Sequence, residues 1–595
     1  MMNDDRFRLD QAPATEAEWR DAVDGVLKGR PFDKVLVNET RGGLDIQPLY
    51  EPTASTSIVP ADAQRIAYGW DIRQRHGVGD LDACRAAVLD DLEHGVTSIE
   101  LESPAATWTI DSLRMALTGV LLDIAPVVLA PHANLGSARA LLALLDEQGD
   151  AETSRSWLGL DPIGEFSRAG SVGDLEGVAA LAVEAAERHP HVVACTVDTT
   201  RYVDAGADEV QELTWMLATG IAVLRALEAA GMPVERAAAT IGFRVSADGD
   251  QFLTIARLRA ARSLWASALA VCGVTGQPSR FQAVTTPAMF SRRDAEVNML
   301  RATSAVFGAG VGGADAVTVL PFDGSNSNLA RRNARNIQHL LIAESGLNRF
   351  VDPGAGSGFV ESLTERLVDA AWRGVQTLEA EGGMVVALES GAIEAAIDTA
   401  WETRLSRLAR RQEPLTGVSE FPAVAAPVNG FEYTDGFPLR RPAAPFEVLR
   451  DAADRAGSPV VHLAALGSLA DHTARSTWIT NFLAVGGLGV DSGELDGARS
   501  PIEAAATFED AGATVAVICS SDAVYAERAA ATATALKDAG AVFVALAGHP
   551  GQLRAELEAA GVDAFFHVGV DVLAALRDLH ERLDIVPSTG PGSDS

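Results

Sequence analysis

Cysteine is scarce in this 595-residue chain: Cys84, Cys195, Cys272 and Cys519 lie far apart and form no CxxC pair. That spacing argues against a disulfide framework and against a zinc site, so no metal ligands are expected. There is no run of about 18 apolar residues, the length a membrane-crossing helix requires. The opening MMNDDRFRLDQ is polar and acidic, so no signal peptide is expected and the setting predicted is cytoplasmic. Positive charge is also short, with 48 Lys and Arg against 81 Asp and Glu and a formal net charge of −33. Such a field repels phosphate at long range, so neither nucleic acid nor an anionic membrane is an expected partner. Apolar material is plentiful: hydrophobic residues make up 47% of the chain. That length and content predict a soluble globular protein of two or more domains.

Residues 1–59 read as an N-terminal extension. TEAEWRDAVDGVLKG has Thr15 at a helix N-cap, Glu18 three residues later and Gly29 near the end, the signature of a capping box and a stop. KVLVNETRGGLDIQPLY then reads as two short strands around a Gly-Gly turn. An extension of this size buries little alone and is expected to pack on another domain or chain, leaving the barrel folded when it is removed. Residues 60–404 alternate apolar runs with helical stretches. SIELE, PVVLAP, LGLDP, VVACTVDT, TIGFRVS, RFQAVTT, AVTVLP and NRFVDPG are the expected strands. Apolar rather than alternating strands between helices predict a parallel sheet, and eight of them fit a (β/α)8 TIM barrel. Residues 405–445 are proline-rich and aperiodic, a linker. Residues 446–586 alternate again through VVHLAAL, ATVAVICSS, AVFVALAG and AFFHVG, an α/β domain of flavodoxin-like, doubly wound type. The tail 587–595, PSTGPGSDS, is disordered by composition.

Several stretches carry a resemblance. WDIRQ at 70–74 is similar to a W-T-I-R-Q motif, and RLRAARSLW at 257–265 to a K-L-R-A-x-R-x-L-W helix. ARNIQHLLIAESGLNRFVDPGAGSGFVESLTERL at 334–367 follows an A-R-N-x-Q…E-S…D-P…G-S…V-E signature, and EAEGGM at 379–384 continues it. All belong to the adenosylcobalamin-dependent acyl-CoA mutases, methylmalonyl-CoA mutase above all, and the barrel-linker-flavodoxin layout matches. The resemblance implies a cobalamin (cobalt) cofactor. It also implies the isomerase chemistry that interconverts methylmalonyl-CoA and succinyl-CoA in propionate metabolism.

The resemblance also locates what this chain has lost. In catalytic members a tyrosine follows W-T-I-R-Q; here Arg75 stands there, and a permanently charged guanidinium does not replace a neutral phenol in a dry cavity. The family's G-Y-H-M-Q-E-A-G-A histidine is replaced by Arg201 in TTRYVDAGA, and arginine does not shuttle protons near pH 7. The segment leading to the family's carboxylate-binding arginine has no counterpart in DPIGEFSRAGS. No catalytic residue is therefore expected. Arg73 is the one substrate-binding candidate, holding a CoA phosphate, although neighbouring Asp71 favours a salt bridge. GAGVGG at 308–313 follows a helix rather than a strand, so it reads as a connection and not a phosphate loop, and His189 and His191 read as loop residues.

The cobalamin loop of the family reads D-x-H-x-x-G. In LADHTARSTW this chain has Ala470, His472 and Arg475, so the cobalt-ligand position survives as a loop histidine without its carboxylate, and an arginine stands where the glycine admits the nucleotide tail. ICSSDAVYAE keeps Ser520 and Ser521, and ALAGHPG keeps only Gly548 of a double glycine. No cofactor is expected in this chain. The pattern resembles the small (beta) chain of heterodimeric mutases, whose large (alpha) catalytic chain binds adenosylcobalamin. Two other readings stay open: an active mutase for a different acyl-CoA, with Arg75 and Arg201 setting specificity, and a regulatory protein that binds a CoA ester.

Overall fold

The computed structural model describes residues 14–51, 69–77, 79–102, 107–325, 327–423, 427–430, 436–492 and 497–586. The tail expected to be disordered lies outside them.

Eight parallel strands close a barrel: β1 Asp71–His76, β2 Ser98–Leu101, β3 Val127–Leu129, β4 Trp157–Leu160, β5 Val193–Asp198, β6 Ile241–Ala247, β7 Arg280–Thr285 and β8 Ala316–Thr318. Strand β8 pairs with both β7 and β1, which leaves no free edge. Helices cover the outside, and their starts are set by short polar side chains. Asp80 accepts the Asp82 and Ala83 amides ahead of the helix Leu81–Glu93, and Asn134 accepts the Ser137 amide ahead of Leu135–Gln148. The TIM-type barrel is as expected. Its membership differs by one strand. NRFVDPG forms a 3-10 turn at Leu347–Arg349 and an irregular segment, and the missing strand is DIRQRH, in the WDIRQ region. GAGVGG ends the helix Ala295–Val311 and turns into β8, with Gly310 so close to the Trp70 ring that a Cβ would lie 2.7 Å from it.

The second sheet runs in the order β10-β9-β11-β12-β13, all parallel, with β9 Val460–Ala465, β10 Gly489–Asp491, β11 Val515–Cys519, β12 Phe543–Ala547 and β13 Ala564–Phe566. This is the doubly wound, flavodoxin-like order, with one short edge strand, β10, beyond the four runs read from sequence. The helix Ala392–Ala409 runs into the segment expected to be linker, and the second domain opens with the helix Ala444–Arg455. That helix is gripped by the barrel. Arg292 pairs with Asp451, and Arg293, 3% exposed, reaches Asp451 at 2.6 Å and Asp454 at 2.5 Å.

The N-terminal extension divides in two. Thr15 caps the helix Glu16–Leu27 with Glu18 in the expected capping box, yet only Leu27 of that helix is buried. Residues 38–51 instead belong to the barrel. Asn38–Glu39 and Asp45–Ile46 form the expected ladder, and Leu44 joins the main hydrophobic core. Arg41 reaches Asp248 at 3.0 Å and lies 3.7 Å from the fully enclosed Glu209. Cutting at residue 58 therefore removes the guanidinium that Glu209 and Asp248 share, leaving Asp248 with Arg257 alone, at a cost of about 3 kcal/mol, the low end for breaking a buried pair. Deleting residues 1–36 is expected to leave the urea midpoint of the chain unchanged, whereas deleting 1–58 lowers it. Equal midpoints for the two truncations would show that Arg41 contributes nothing.

Candidate functional site

In parallel barrels the chemistry sits where the carboxyl ends of the strands meet the loops, so the inward side chains of β1, β2, β5, β6 and β7 define the candidate site. Inward positions of such barrels usually hold branched apolar residues. Here they hold charges. Register places Arg73 beside Ser98 and Arg75 beside Glu100 on β1 and β2. Glu100, fully buried, is the hub: its Oε1 accepts from Arg75 Nε at 2.9 Å and Arg244 Nη2 at 2.9 Å, and its Oε2 from Gln282 Nε2 at 2.7 Å and Thr318 Oγ1 at 3.2 Å. Arg73 donates to Ser98 Oγ at 3.0 Å and Gln282 Oε1 at 2.9 Å, and Arg244 continues to Asp198 at 3.3 Å. Burial pushes the Glu100 carboxyl up, but the Arg244, Arg75 and Arg73 guanidiniums outweigh it and bring its pKa down to about 2. Below this layer Trp157 lies under the Arg73 guanidinium, 5.2 Å from ring centroid to Cζ, and a Cβ on Gly242 would lie 2.7 Å from the indole. The axis of the barrel is filled from Trp157 to Arg75.

Arg75 and Arg201, the two positions singled out from sequence, both lie at the strand ends, but neither faces open space. Arg75 is also 3.1 Å from Glu102. Arg201 sits in the short helix Thr200–Asp204 after β5, 8% exposed, with Nη2 3.4 Å from His132 Nδ1. The linker closes over it at Gly436, where a Cβ would come within 2.5 Å of Arg201 Nη1. Asp161 and Asp204 line the same end. Burial, with the Asp198 charge added, pushes Asp161 up to about 8. Burial pushes Asp204 up to about 7, against the hydroxyl that Thr286 donates to it at 2.5 Å. Among the described residues Arg73 pairs with the carboxylate of Asp71, 3.7 Å away, the salt bridge that its neighbour in sequence favours.

Sequence reading missed Glu100, Arg244, Gln282 and Asp198. A signal was present: each is a charged or amide side chain flanked on both sides by less polar neighbours within a strand-like run, as in SIELE, TIGFRVS, RFQAVTT and VVACTVDT.

In the second domain the ligand position of a doubly wound sheet lies beyond the carboxyl ends of its strands. His472 is not a loop residue. Ser468 and Asp471 form a capping box, and the helix Leu469–Val485 begins there, so His472 falls in its first turns and is 6% exposed. Alanine and arginine at 470 and 475, both good helix formers, extend that helix where the family pattern has aspartate and glycine. An axial metal ligand presents one ring nitrogen to open space while the other is held. His472 Nδ1 lies 3.3 Å from Ser476 Oγ, and its Nε2 is enclosed by protein with no hydrogen-bond partner among the described residues. Arg475 lies across the strand ends. It donates to Ser520 O at 2.6 Å and Asp522 Oδ1 at 2.5 Å and covers the Tyr525 ring at 4.7 Å, and a Cβ on Gly548 would lie 3.1 Å from its Cζ. Ser520 Oγ donates to Leu466 O at 2.7 Å, which ties β11 to the end of β9. These residues do not fit a corrinoid with an inserted nucleotide tail. His189 follows the helix Leu175–Arg188 as its C-cap, outside any helix or strand as expected, yet it is 3% exposed and lies 3.4 Å from Asp146.

A closed parallel barrel carrying a doubly wound domain on its linker, each with side chains crossing its own ligand position, defines the architectural class. Residues 109–436 match the sequence family described as methylmalonyl-CoA mutase. The methylmalonyl-CoA mutase small subunit of Streptomyces virginiae is 41% identical, over 96% of this chain and 97% of that one. The small subunit of Propionibacterium freudenreichii subsp. shermanii is 35% identical, over 96% and 95%. A methylmalonyl-CoA mutase of Cereibacter sphaeroides is 25% identical over 68% of this chain and 64% of that one. The chain belongs to the methylmalonyl-CoA mutase family, an isomerase family. Among the described residues no helix is long and apolar enough to cross a membrane.

Proposed function

We infer that this chain is the small, non-catalytic subunit of a heterodimeric methylmalonyl-CoA mutase. It supports a large chain that holds adenosylcobalamin and interconverts (R)-methylmalonyl-CoA and succinyl-CoA. The observation that carries the reading is Glu100, whose carboxylate and three arginines occupy the barrel axis that a ligand would thread. An active mutase for another acyl-CoA needs Arg75 and Arg201 to face a cavity, and both are engaged within the wall or under the linker. A CoA-ester sensor needs Arg73 free for a phosphate, and its donors go to Ser98 and Gln282. The relatives named small subunit support the same reading, and the exposed helix Glu16–Leu27 offers an element for contact with the large chain. Trp19, Val23 and Val26 recur on it at helical spacing, and Val26 is 73% exposed.

The test is co-expression with a candidate large chain, followed by co-purification and assay. Stoichiometric co-purification, with cobalamin absorbance and turnover that require the large chain, is the expected result. Turnover of methylmalonyl-CoA by this chain alone would overturn it.

A further inference from the structure

A cleft of about 270 Å³ opens on the outside of the barrel at the seam where β8 meets β1, between the helices Leu81–Glu93 and Asn328–His339. It lies apart from the axial layer and from the second domain's strand ends. Its lining holds three guanidiniums, those of Arg331, Arg332 and Arg335, against the carboxylates of Asp90 and Asp91.

Donors there exceed acceptors. Asp91, 1% exposed, is used up: Oδ1 accepts from Arg335 Nη1 at 2.6 Å, and Oδ2 accepts from Arg331 Nη2. Arg335 is 4% exposed, with Nη1 on Asp91 and its Nε enclosed by protein without a hydrogen-bond partner among the described residues. Asp90 is 4.0 Å from Arg335 Nη1 and otherwise faces His94 at 3.5 Å. Arg332, exposed at the rim, is paired with no carboxylate among the described residues. The first turn of the 12-residue helix Asn328–His339 contributes Asn328 and Leu329 to the lining, and Ser327 takes only the Ala330 amide. The positive end of that helix therefore faces the cleft as well. A divalent cation is disfavoured, because both Asp91 oxygens already accept from arginine.

We propose that this cleft binds a phosphate group, free or as the terminal phosphate of a small ester, through Arg332, Arg335 and the start of the helix Asn328–His339. Phosphate supplies the acceptor oxygens the cleft lacks, and planar guanidiniums match its geometry. The overall negative charge of the chain does not preclude this, since screening confines it to about 8 Å at physiological ionic strength.

Titration of the full chain with inorganic phosphate, followed by calorimetry and thermal melting, tests the proposal. Saturable binding is expected, with a melting temperature that rises with phosphate. Arg332→Gln, on an exposed helical position, is expected to weaken binding roughly tenfold or more while leaving the phosphate-free melting temperature unchanged. Adenosine monophosphate in parallel separates the sources: binding of both probes marks a terminal-phosphate site, and binding of inorganic phosphate alone marks a free-anion site. No saturable binding of either probe, or equal binding by Arg332→Gln, overturns the proposal.

Discussion

Replacing Glu100 by glutamine is expected to destabilise the chain by about 3–5 kcal/mol, the range for breaking a buried ion pair. Glutamine keeps the shape but removes the charge that Arg75 and Arg244 share, leaving Arg75 to Glu102 alone and Arg244 to Asp198 alone. The wild-type protein should show the same dependence in acid. The folded-state pKa is near 2 against 4.5 for an ordinary glutamate, so this stabilisation is complete above about pH 4.5 and disappears as pH falls through about 2. The size of that shift corresponds to about 3 kcal/mol. Urea midpoints of wild type and Glu100→Gln, measured between pH 7 and pH 2, should differ most at pH 7 and converge in acid. A variant as stable as wild type at pH 7 would mean the axial charges hold nothing together.

Restoring the family side chains at the two arginine positions is expected to yield no activity. Arg75→Tyr with Arg201→His returns the phenol and the imidazole, but Arg73, Gln282, Glu100, Arg244 and Trp157 still cross the axis. Arg75→Tyr also removes one of Glu100's partners, so the double variant should melt lower than wild type. The enhancement missing is the whole of it, about 10⁶-fold or more for enzymes in general. Measured with adenosylcobalamin and methylmalonyl-CoA, the double variant should match the buffer blank. Turnover above that blank would place a usable channel in this barrel.

The architecture was largely legible because seven of the barrel strands are apolar runs flanked by turn residues, a pattern burial on both faces demands. The exception is instructive. DIRQRH carries charges at three of its six positions and does not resemble a buried strand, yet Arg73 and Arg75 are drawn inward by Ser98, Gln282 and Glu100, partners distant in sequence. NRFVDPG has strand-like Phe350 and Val351, but Pro353 and Gly354 break it, and Phe350 is 68% exposed. At the cobalt-ligand position the family pattern pointed to a loop, whereas the Ser468–Asp471 box starts a helix there. The substitutions Arg75, Arg201 and Arg475 were visible in the sequence. What each one contacts was not, because those partners come from other strands and from the linker.

The grip of Arg292 and Arg293 on the helix Ala444–Arg455 has a thermodynamic consequence. Chains of two domains commonly lose cooperativity and melt in steps. Here Glu447, 3% exposed, also accepts from Arg441 Nη2 at 2.6 Å and from the Arg292 amide at 2.6 Å, so linker, barrel and second domain share one buried carboxylate. Opening either domain exposes the other's charges. The two domains are therefore expected to share a single calorimetric transition, with an enthalpy set by the size of both.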